Sequence, residues 1–154
     1  MKKNLTFILL FLISCSIKEK KFQKETTVLK NINIKYRNDS LLTKKIYLVT
    51  GLDGCGACLD YTVKFVEENI NDKNMNFIIS GQSKVQLKSK FTNKSILNNN
   101  FVFDTAQIAS RSGIIGISKP KIFLCNLGSV YDIKEVDFKN ADSIFAYVKD
   151  YIKR

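Results

Sequence analysis

The sequence predicts an α/β fold in which a central mixed β-sheet is flanked by helices. Short apolar runs typical of buried strands alternate with segments whose apolar residues recur at helical spacing. The order is strand, helix, strand, helix, strand, strand, helix, with a hairpin near the end. Of the 154 residues, 45% are hydrophobic and 25% are charged, which suits one globular domain and is too apolar for a disordered chain.

Residues 1–14 are predicted to form a lipoprotein signal peptide. Lys2 and Lys3 precede an apolar run over 5–13, which is shorter than the ~20 residues that span a bilayer. The run ends in Leu12-Ile13-Ser14-Cys15, which resembles the lipobox of bacterial lipoproteins. That resemblance implies a diacylglyceryl group on Cys15 and cleavage just before it. A plain secretory signal, or a transmembrane anchor with an incidental Cys15, is the alternative.

The expected domain plan follows from this leader. Residues 15–27 are the lipid anchor and tether, and residues 28–154 are the folded domain. We expect an extracytoplasmic protein of the cell envelope, on the periplasmic side of the inner or outer membrane or at the cell surface. The formal charge is +11, but the lysines are scattered and no recognisable nucleic-acid-binding motif is present, so nucleic acid is not an expected partner.

The first predicted element is a half-buried strand over 28–36, because Ile32, Ile34 and Tyr36 alternate with polar residues. A central strand over 44–50 follows, rich in β-branched and aromatic residues. Next comes an amphipathic helix to about residue 70, whose apolar face is formed by Leu59, Val63, Val66 and Ile70.

The remaining segments continue the alternation. They are a strand over 75–80, a part-helical stretch over 82–100, a short strand over 101–103, a short helix over 105–112, a hairpin of strands 121–126 and 130–136 about Gly128, and a final helix capped by Asn140.

The chemistry of the chain is concentrated in Cys55-Gly56-Ala57-Cys58, between the central strand and the first amphipathic helix. Two cysteines three residues apart on a first helical turn can close a small disulfide ring. The unsatisfied N–H groups and the positive end of the helix dipole favour a thiolate on Cys55, the candidate nucleophile. Cys58, flanked by Ala57 and Leu59, is expected to be more buried and to resolve mixed disulfides.

Residue counts narrow the alternatives for this motif. The chain has no histidine, which excludes Ser-His-Asp and Cys-His catalysis and HExxH zinc sites. If Cys15 carries lipid, Cys125 is the one cysteine left to join Cys55 and Cys58. These three cysteines are too few ligands for an ordinary zinc site. We therefore expect no metal and no cofactor beyond a redox-active Cys55–Cys58 disulfide.

With this motif, the chain over about residues 28–154 resembles the thioredoxin-like thiol-disulfide oxidoreductases, in particular the exported, membrane-anchored TlpA/ResA type. Three matches carry the resemblance: the strand-CxxC-helix unit over 44–70, the segment 113–124 around Pro120, and Asn126-Leu127-Gly128 before a strand. Pro120 is the only proline of the chain and falls at the family's cis-proline position. The resemblance implies a thioredoxin-like fold, with Pro120 facing the disulfide and Lys119 in the backbone that pairs with bound substrate.

The chain also departs from the family pattern. Gly54 stands where a Trp often precedes the first cysteine, and Val49 stands where cytoplasmic thioredoxins carry a buried Asp. The acid that assists proton transfer to the second thiol is therefore unassigned. Asp53 and Asp60 are near in sequence but are expected to be solvated.

The function expected from these observations is that of a membrane-anchored extracytoplasmic thiol-disulfide oxidoreductase. Its partners would be protein disulfides or dithiols and an electron donor in or across the membrane. The alternative is a thioredoxin-fold lipoprotein that serves as a binding module, with the CxxC as a passive disulfide. A peroxidase is less favoured, because the Pro/Thr-rich loop that precedes the nucleophile in peroxiredoxins is missing. Cys125, in the apolar run KIFLCN, is expected to be a buried core residue.

Overall fold

The computed structural model describes residues 21–54, 56–116 and 119–153. The predicted signal peptide and Cys15 lie outside the described residues, as does Cys55. The elements are α1 (Gln23–Arg37), β1 (Ile46–Gly51), α2 (Gly56–Asn69), β2 (Met75–Ser80), α3 (Lys84–Lys90), α4 (Asn93–Ile96), β3 (Phe101–Asp104), α5 (Ile108–Arg111), β4 (Lys121–Asn126), β5 (Ser129–Glu135) and α6 (Ala141–Lys153).

The strands form one five-stranded mixed sheet in the order β3-β2-β1-β4-β5. The first three strands in the chain, β1 to β3, are parallel to one another, with Ile46 beside Met75 and Phe77 beside Phe101. Strand β4 runs antiparallel to β1 and to β5. The predicted α/β class with a central mixed sheet and flanking helices is confirmed.

Two hydrophobic cores cover the two faces of the sheet. On one face α2 packs against α6, where the rings of Phe65 and Phe145 stack with centroids 4.1 Å apart. On the other face α1 packs with Leu29 and Ile32 fully buried. Because β1 is covered on both faces, its residues 46–50 are all buried, which is why they form an apolar run without alternation.

The predicted first strand over 28–36 is wrong, because these residues belong to helix α1. The buried positions Val28, Leu29, Ile32 and Asn33 follow helical spacing, whereas Ile34 is 49% exposed. The helix ends at Asn38 in the left-handed conformation, and Asn38 N–H donates to carbonyl oxygens of the last turn. Residues 23–27, which the sequence placed in the tether, form the first turns of this helix.

The other sequence predictions agree closely with the structure. Strand β2 occupies 75–80, α2 ends one residue before 70, and the hairpin turns at Leu127-Gly128. Within the part of the chain described, no helix combines the length and the apolar character needed to cross a membrane.

Candidate functional site

The site is built where β1 ends. After Gly51 the chain turns through Leu52, whose backbone N–H donates to Ser80 O at 3.0 Å and whose side chain is 2% exposed. Residues 53 and 54 complete the turn, and helix α2 begins at Gly56. The buried strand and this anchored turn hold the start of α2 at the carboxyl end of the parallel strands.

Cys58 lies on the first turn of α2 and is only 3% exposed. Its carbonyl accepts a hydrogen bond from Thr62 Oγ1 at 2.8 Å, which links the first turn of the helix to the next one. The prediction that Cys58 is buried is confirmed. Cys55, the predicted nucleophile, lies outside the described residues.

The segment Lys119-Pro120 lies at the same end of the sheet as the motif. Lys121 pairs with Val49 in the antiparallel ladder. The preceding residue, Pro120, therefore lies opposite the last residues of β1. Pro120 O accepts a hydrogen bond from Val136 N at 2.9 Å, which fixes this approach to β4. The resemblance implied a cis peptide bond here; the described residues contain none, so the Lys119–Pro120 bond is trans.

Lys119 places positive charge beside the motif. Its Nζ lies 2.9 Å from Glu135 Oε1 and 3.8 Å from Asp137 Oδ2. The hydrogen bond to Glu135 raises the pKa of Lys119 most, followed by the charge of Glu135, with smaller contributions from Asp137 and Cys58. The ion pairs are largely exposed and contribute little to stability.

The carboxylates nearest in sequence are solvated, as expected. Asp53 is exposed, and Asp60, with a side chain 67% exposed, pairs with Lys90 Nζ at 3.0 Å. Val49, at the position where cytoplasmic thioredoxins carry aspartate, is completely buried in the core beneath α1. None of the three supplies a buried acid to the motif.

This end of the sheet also holds a buried polar cluster that was not predicted from the sequence. Asp104, the last residue of β3, is fully buried. Its carboxylate accepts hydrogen bonds from Ser80 Oγ at 3.2 Å, Ala109 N at 2.9 Å and Tyr36 OH at 3.1 Å. Ser110 Oγ donates in turn to Ser80 Oγ at 3.1 Å. No local signal predicts the cluster, because it depends on β2 and β3 ending side by side and on Tyr36 arriving from α1.

A cavity of about 140 Å³ separates this polar cluster from the motif turn. Its lining combines the end of β1, the end of β2, helix α5 and the segment that follows it: Gly51, Asp53, Ser80, Gln107, Ser110, Ile115 and Gly116. The site edge thus offers hydroxyl and amide groups beside the motif.

Cys125 lies at the other end of the sheet. Its backbone N–H donates to Lys45 O at 2.8 Å, just before β1 begins, whereas the motif follows the last residue of β1. At about 3.3 Å per residue the two positions are separated by roughly 15–20 Å. Burial raises the pKa of the Cys125 thiol to about 12, and its side chain is 3% exposed. The expectation of a buried core residue is confirmed.

Among the described residues, no group of three or more Cys, Asp or Glu side chains is arranged to hold a metal ion. No family model, no curated protein and no solved structure matches the chain.

Proposed function

We propose that this chain is a membrane-anchored extracytoplasmic thiol-disulfide oxidoreductase with a thioredoxin-like fold. The observation that carries the proposal is the position of Cys58, the second cysteine of the CxxC motif, on the first turn of α2. Strand β1, whose first five residues are buried, ends shortly before this turn, and the Lys119-Pro120 segment, which leads into β4, lies at the same end of the sheet. A CxxC at a helix start is suited to disulfide exchange, because the helix end favours a thiolate on the first cysteine.

The order of strands supports the thioredoxin-like part of the proposal. A parallel β1-α2-β2 unit is followed by the antiparallel pair β4-β5 and a last helix, with β4 directly beside β1. This arrangement brings the residue before β4 to the end of β1, where the family has its proline. The additional segment α3-α4-β3 extends the sheet beyond β2, away from the motif strand.

The proposed reaction is a pair of disulfide exchanges. The Cys55 thiolate attacks one sulfur of a substrate disulfide, forming a mixed disulfide and releasing the other substrate sulfur as a thiolate. Cys58 then loses its proton and attacks Cys55 Sγ, which closes the Cys55–Cys58 disulfide and releases the second substrate thiolate. The substrate gains two electrons, and a dithiol donor returns them to the motif. The reverse sequence oxidises a substrate dithiol.

Burial of Cys58 gives the two cysteines different roles. A side chain that is 3% exposed is poorly placed to attack a protein substrate, but it can attack a neighbouring sulfur within the motif. Lys119 and Pro120 would present backbone to the substrate segment, and the Lys119 ammonium would favour a thiolate nearby. Lipid on Cys15 would hold the enzyme at the membrane, close to an electron donor there.

Trapping of mixed disulfides tests the mechanism. We expect Cys58→Ala to accumulate covalent complexes between Cys55 and client proteins, recovered from the envelope by acid quenching and non-reducing electrophoresis. Without the resolving thiol, the mixed disulfide has no internal route to release. Cys55→Ala should trap little, and Cys125→Ala is the matched control that removes a cysteine from the opposite end of the sheet and should retain exchange.

The passive alternative makes the opposite prediction. If the motif only staples the start of α2, Cys58→Ala traps no partner and the Cys55 thiol titrates at or above its ordinary pKa of about 8.5. Iodoacetamide alkylation of Cys55 across pH 5–9, followed by mass spectrometry, measures that pKa. This pair of results would identify the protein as a binding module.

A further inference from the structure

We propose that the end of the sheet opposite the motif binds the surface of an anionic phospholipid bilayer. We call this end the basal surface. It is formed by residues that precede the parallel strands, by the β4–β5 turn and by the end of α6: Lys44, Lys45, Lys73, Leu97, Leu127 and Lys153.

The strand order sets the basal residues side by side. Leu97 lies in the segment before β3, Lys73 shortly before β2, and Lys44-Lys45 directly before β1. Because these three strands are parallel neighbours, their starting segments lie at one edge. Strand β4 is antiparallel, so its last residue and Leu127 reach the same edge.

Two large apolar side chains project from this edge. Leu127 is 97% exposed and Leu97 is 83% exposed. Leu127 has a φ of +48° in a two-residue turn, a conformation in which Asn, Asp or Gly is the usual residue. A leucine that is both strained and exposed adds nothing to the fold, but it can insert its side chain at the boundary between head groups and acyl chains.

The charge of the basal surface complements anionic head groups. Lys73 and Lys153 are exposed, and Lys44 Nζ lies 2.6 Å from Lys73 O, which gathers positive charge at the start of β1 and β2. Two acidic residues lie near this edge, and each accepts a backbone hydrogen bond at 2.8 Å, Asp72 Oδ1 from Asn74 N and Asp39 Oδ1 from Leu41 N; the four lysines of the basal surface outnumber these two carboxylates. Lysines next to an anionic membrane contribute attraction that salt screens.

The first turn of α1 lies beside this surface. Helix α1 begins at Gln23, eight residues after Cys15, a reach of at most about 28 Å. Thr26 Oγ1 accepts a hydrogen bond from Val130 N at 2.9 Å, so the first turn of α1 lies beside the start of β5, next to the Leu127 turn. For the orientation of the domain the inference rests on the proposed lipid on Cys15, which would hold this corner near the bilayer.

Tryptophan substitution tests the contact, because the chain contains no tryptophan of its own. The lipidated full-length protein with Leu127→Trp is reconstituted into vesicles of phosphatidylethanolamine and brominated phosphatidylglycerol. Val85→Trp is the matched control, since Val85 is 81% exposed on α3, which follows the opposite end of β2. We expect several-fold stronger bromine quenching, and a blue-shifted emission, for the tryptophan at 127.

A charge variant gives the second arm. Replacing Lys44, Lys45 and Lys73 by Gln in the Leu127→Trp protein should lower the ratio of docked to undocked protein about fivefold per lysine, and high salt should have the same direction of effect. Equal quenching at positions 85 and 127, no quenching at either, or quenching that is insensitive to lipid charge would each overturn the proposal.

Two measurements separate this proposal from the proposed function. Mass spectrometry of the preparation shows whether Cys15 carries lipid. If it does not, the proposed tether does not exist and the inference is overturned. Insulin reduction by the same vesicles reports disulfide exchange. If insulin reduction persists while the tryptophan at position 127 stays in water, only the proposed membrane contact is overturned. If the protein docks on the vesicles but does not reduce insulin, only the proposed oxidoreductase function is contradicted.

Discussion

At the scale of single residues, the β4–β5 turn combines a glycine that suits its backbone conformation with a leucine that does not. Both central residues have positive φ, +48° at Leu127 and +77° at Gly128. Glycine adopts such values freely, whereas a leucine pays for the approach of its Cβ to the backbone. The turn therefore contains about 1 kcal/mol of strain at a side chain that contacts almost nothing.

Leu127→Asn should raise the free energy of unfolding by about 0.5–1 kcal/mol, because asparagine tolerates the left-handed conformation that a two-residue turn needs. Urea denaturation of the two proteins measures the change. Gly128→Ala is the companion variant and should destabilise the protein, since it introduces a Cβ at positive φ. An asparagine variant no more stable than the parent would contradict this account of the turn.

Cys125 gives the stability a dependence on alkaline pH. Burial raises its pKa well above the ordinary value, to about 12. Near pH 7, well below the pKa of the unfolded chain, the thiol is protonated in the folded and unfolded chains alike, so its contribution is fully present. As the pH rises toward 12 the unfolded chain ionises first, and this contribution to folding is progressively lost.

Cys125→Ala should therefore flatten the fall of unfolding free energy above pH 9, while costing about 1 kcal/mol near neutral pH through lost burial. Urea denaturation at a series of pH values between 7 and 11 measures both effects. Parallel curves for the two proteins would show that the thiol does not ionise differently on unfolding.

At the scale of elements, the buried residues of α1 are those that a helix would bury, and they differ from those that a strand would bury. Leu29 and Ile32 are fully buried, whereas Ile34 is 49% exposed. Leu29→Ala should cost about 2–5 kcal/mol of stability by opening a core cavity. Ile34→Ala should change it by no more than about 0.5 kcal/mol. Thermal denaturation of the two variants tells the helix from the strand, in which Ile34 would share the buried side with Ile32.

The same segment shows why this helix could not be predicted from the sequence. Ile32, Ile34 and Tyr36 alternate as strand residues do, while Val28, Leu29 and Ile32 follow helical spacing. The residue before the helix, Phe22, supplies no side-chain cap, so the start carries no local signal. Strands β1 and β2, in contrast, are short apolar runs bounded by polar turns, and their ends could be read directly.

The candidate site also has features that could be predicted from the sequence and features that could not. The CxxC spacing and the strand before it are local, and both could be predicted from the sequence. The buried Asp104 could not, because its side-chain partners Tyr36 and Ser80 come from two distant parts of the chain and only Ala109 is a local partner. Which strand ends meet at one edge is a property of the assembled sheet.

At the scale of the whole molecule, the two ends of the sheet are chemically different. One end carries the motif, the Lys119-Pro120 segment and a cavity lined by hydroxyl and amide groups. The other carries exposed leucines and a group of lysines. The strands between them are about 20 Å long at 3.3 Å per residue. A domain resting on its basal surface would direct the motif away from the bilayer, where folded clients can reach it.

The outer edge of β5 would matter for a chain held at a membrane surface by the proposed lipid. Its N–H groups at Val130 and Ile133 already donate to Thr26 Oγ1 and Asp132 Oδ1. Confinement to two dimensions raises the frequency of collisions between neighbouring copies, and an open strand edge would let them polymerise sheet to sheet. With these two donors occupied, the β5 edge offers fewer N–H groups to a neighbouring copy, which would help membrane-anchored copies to remain separate.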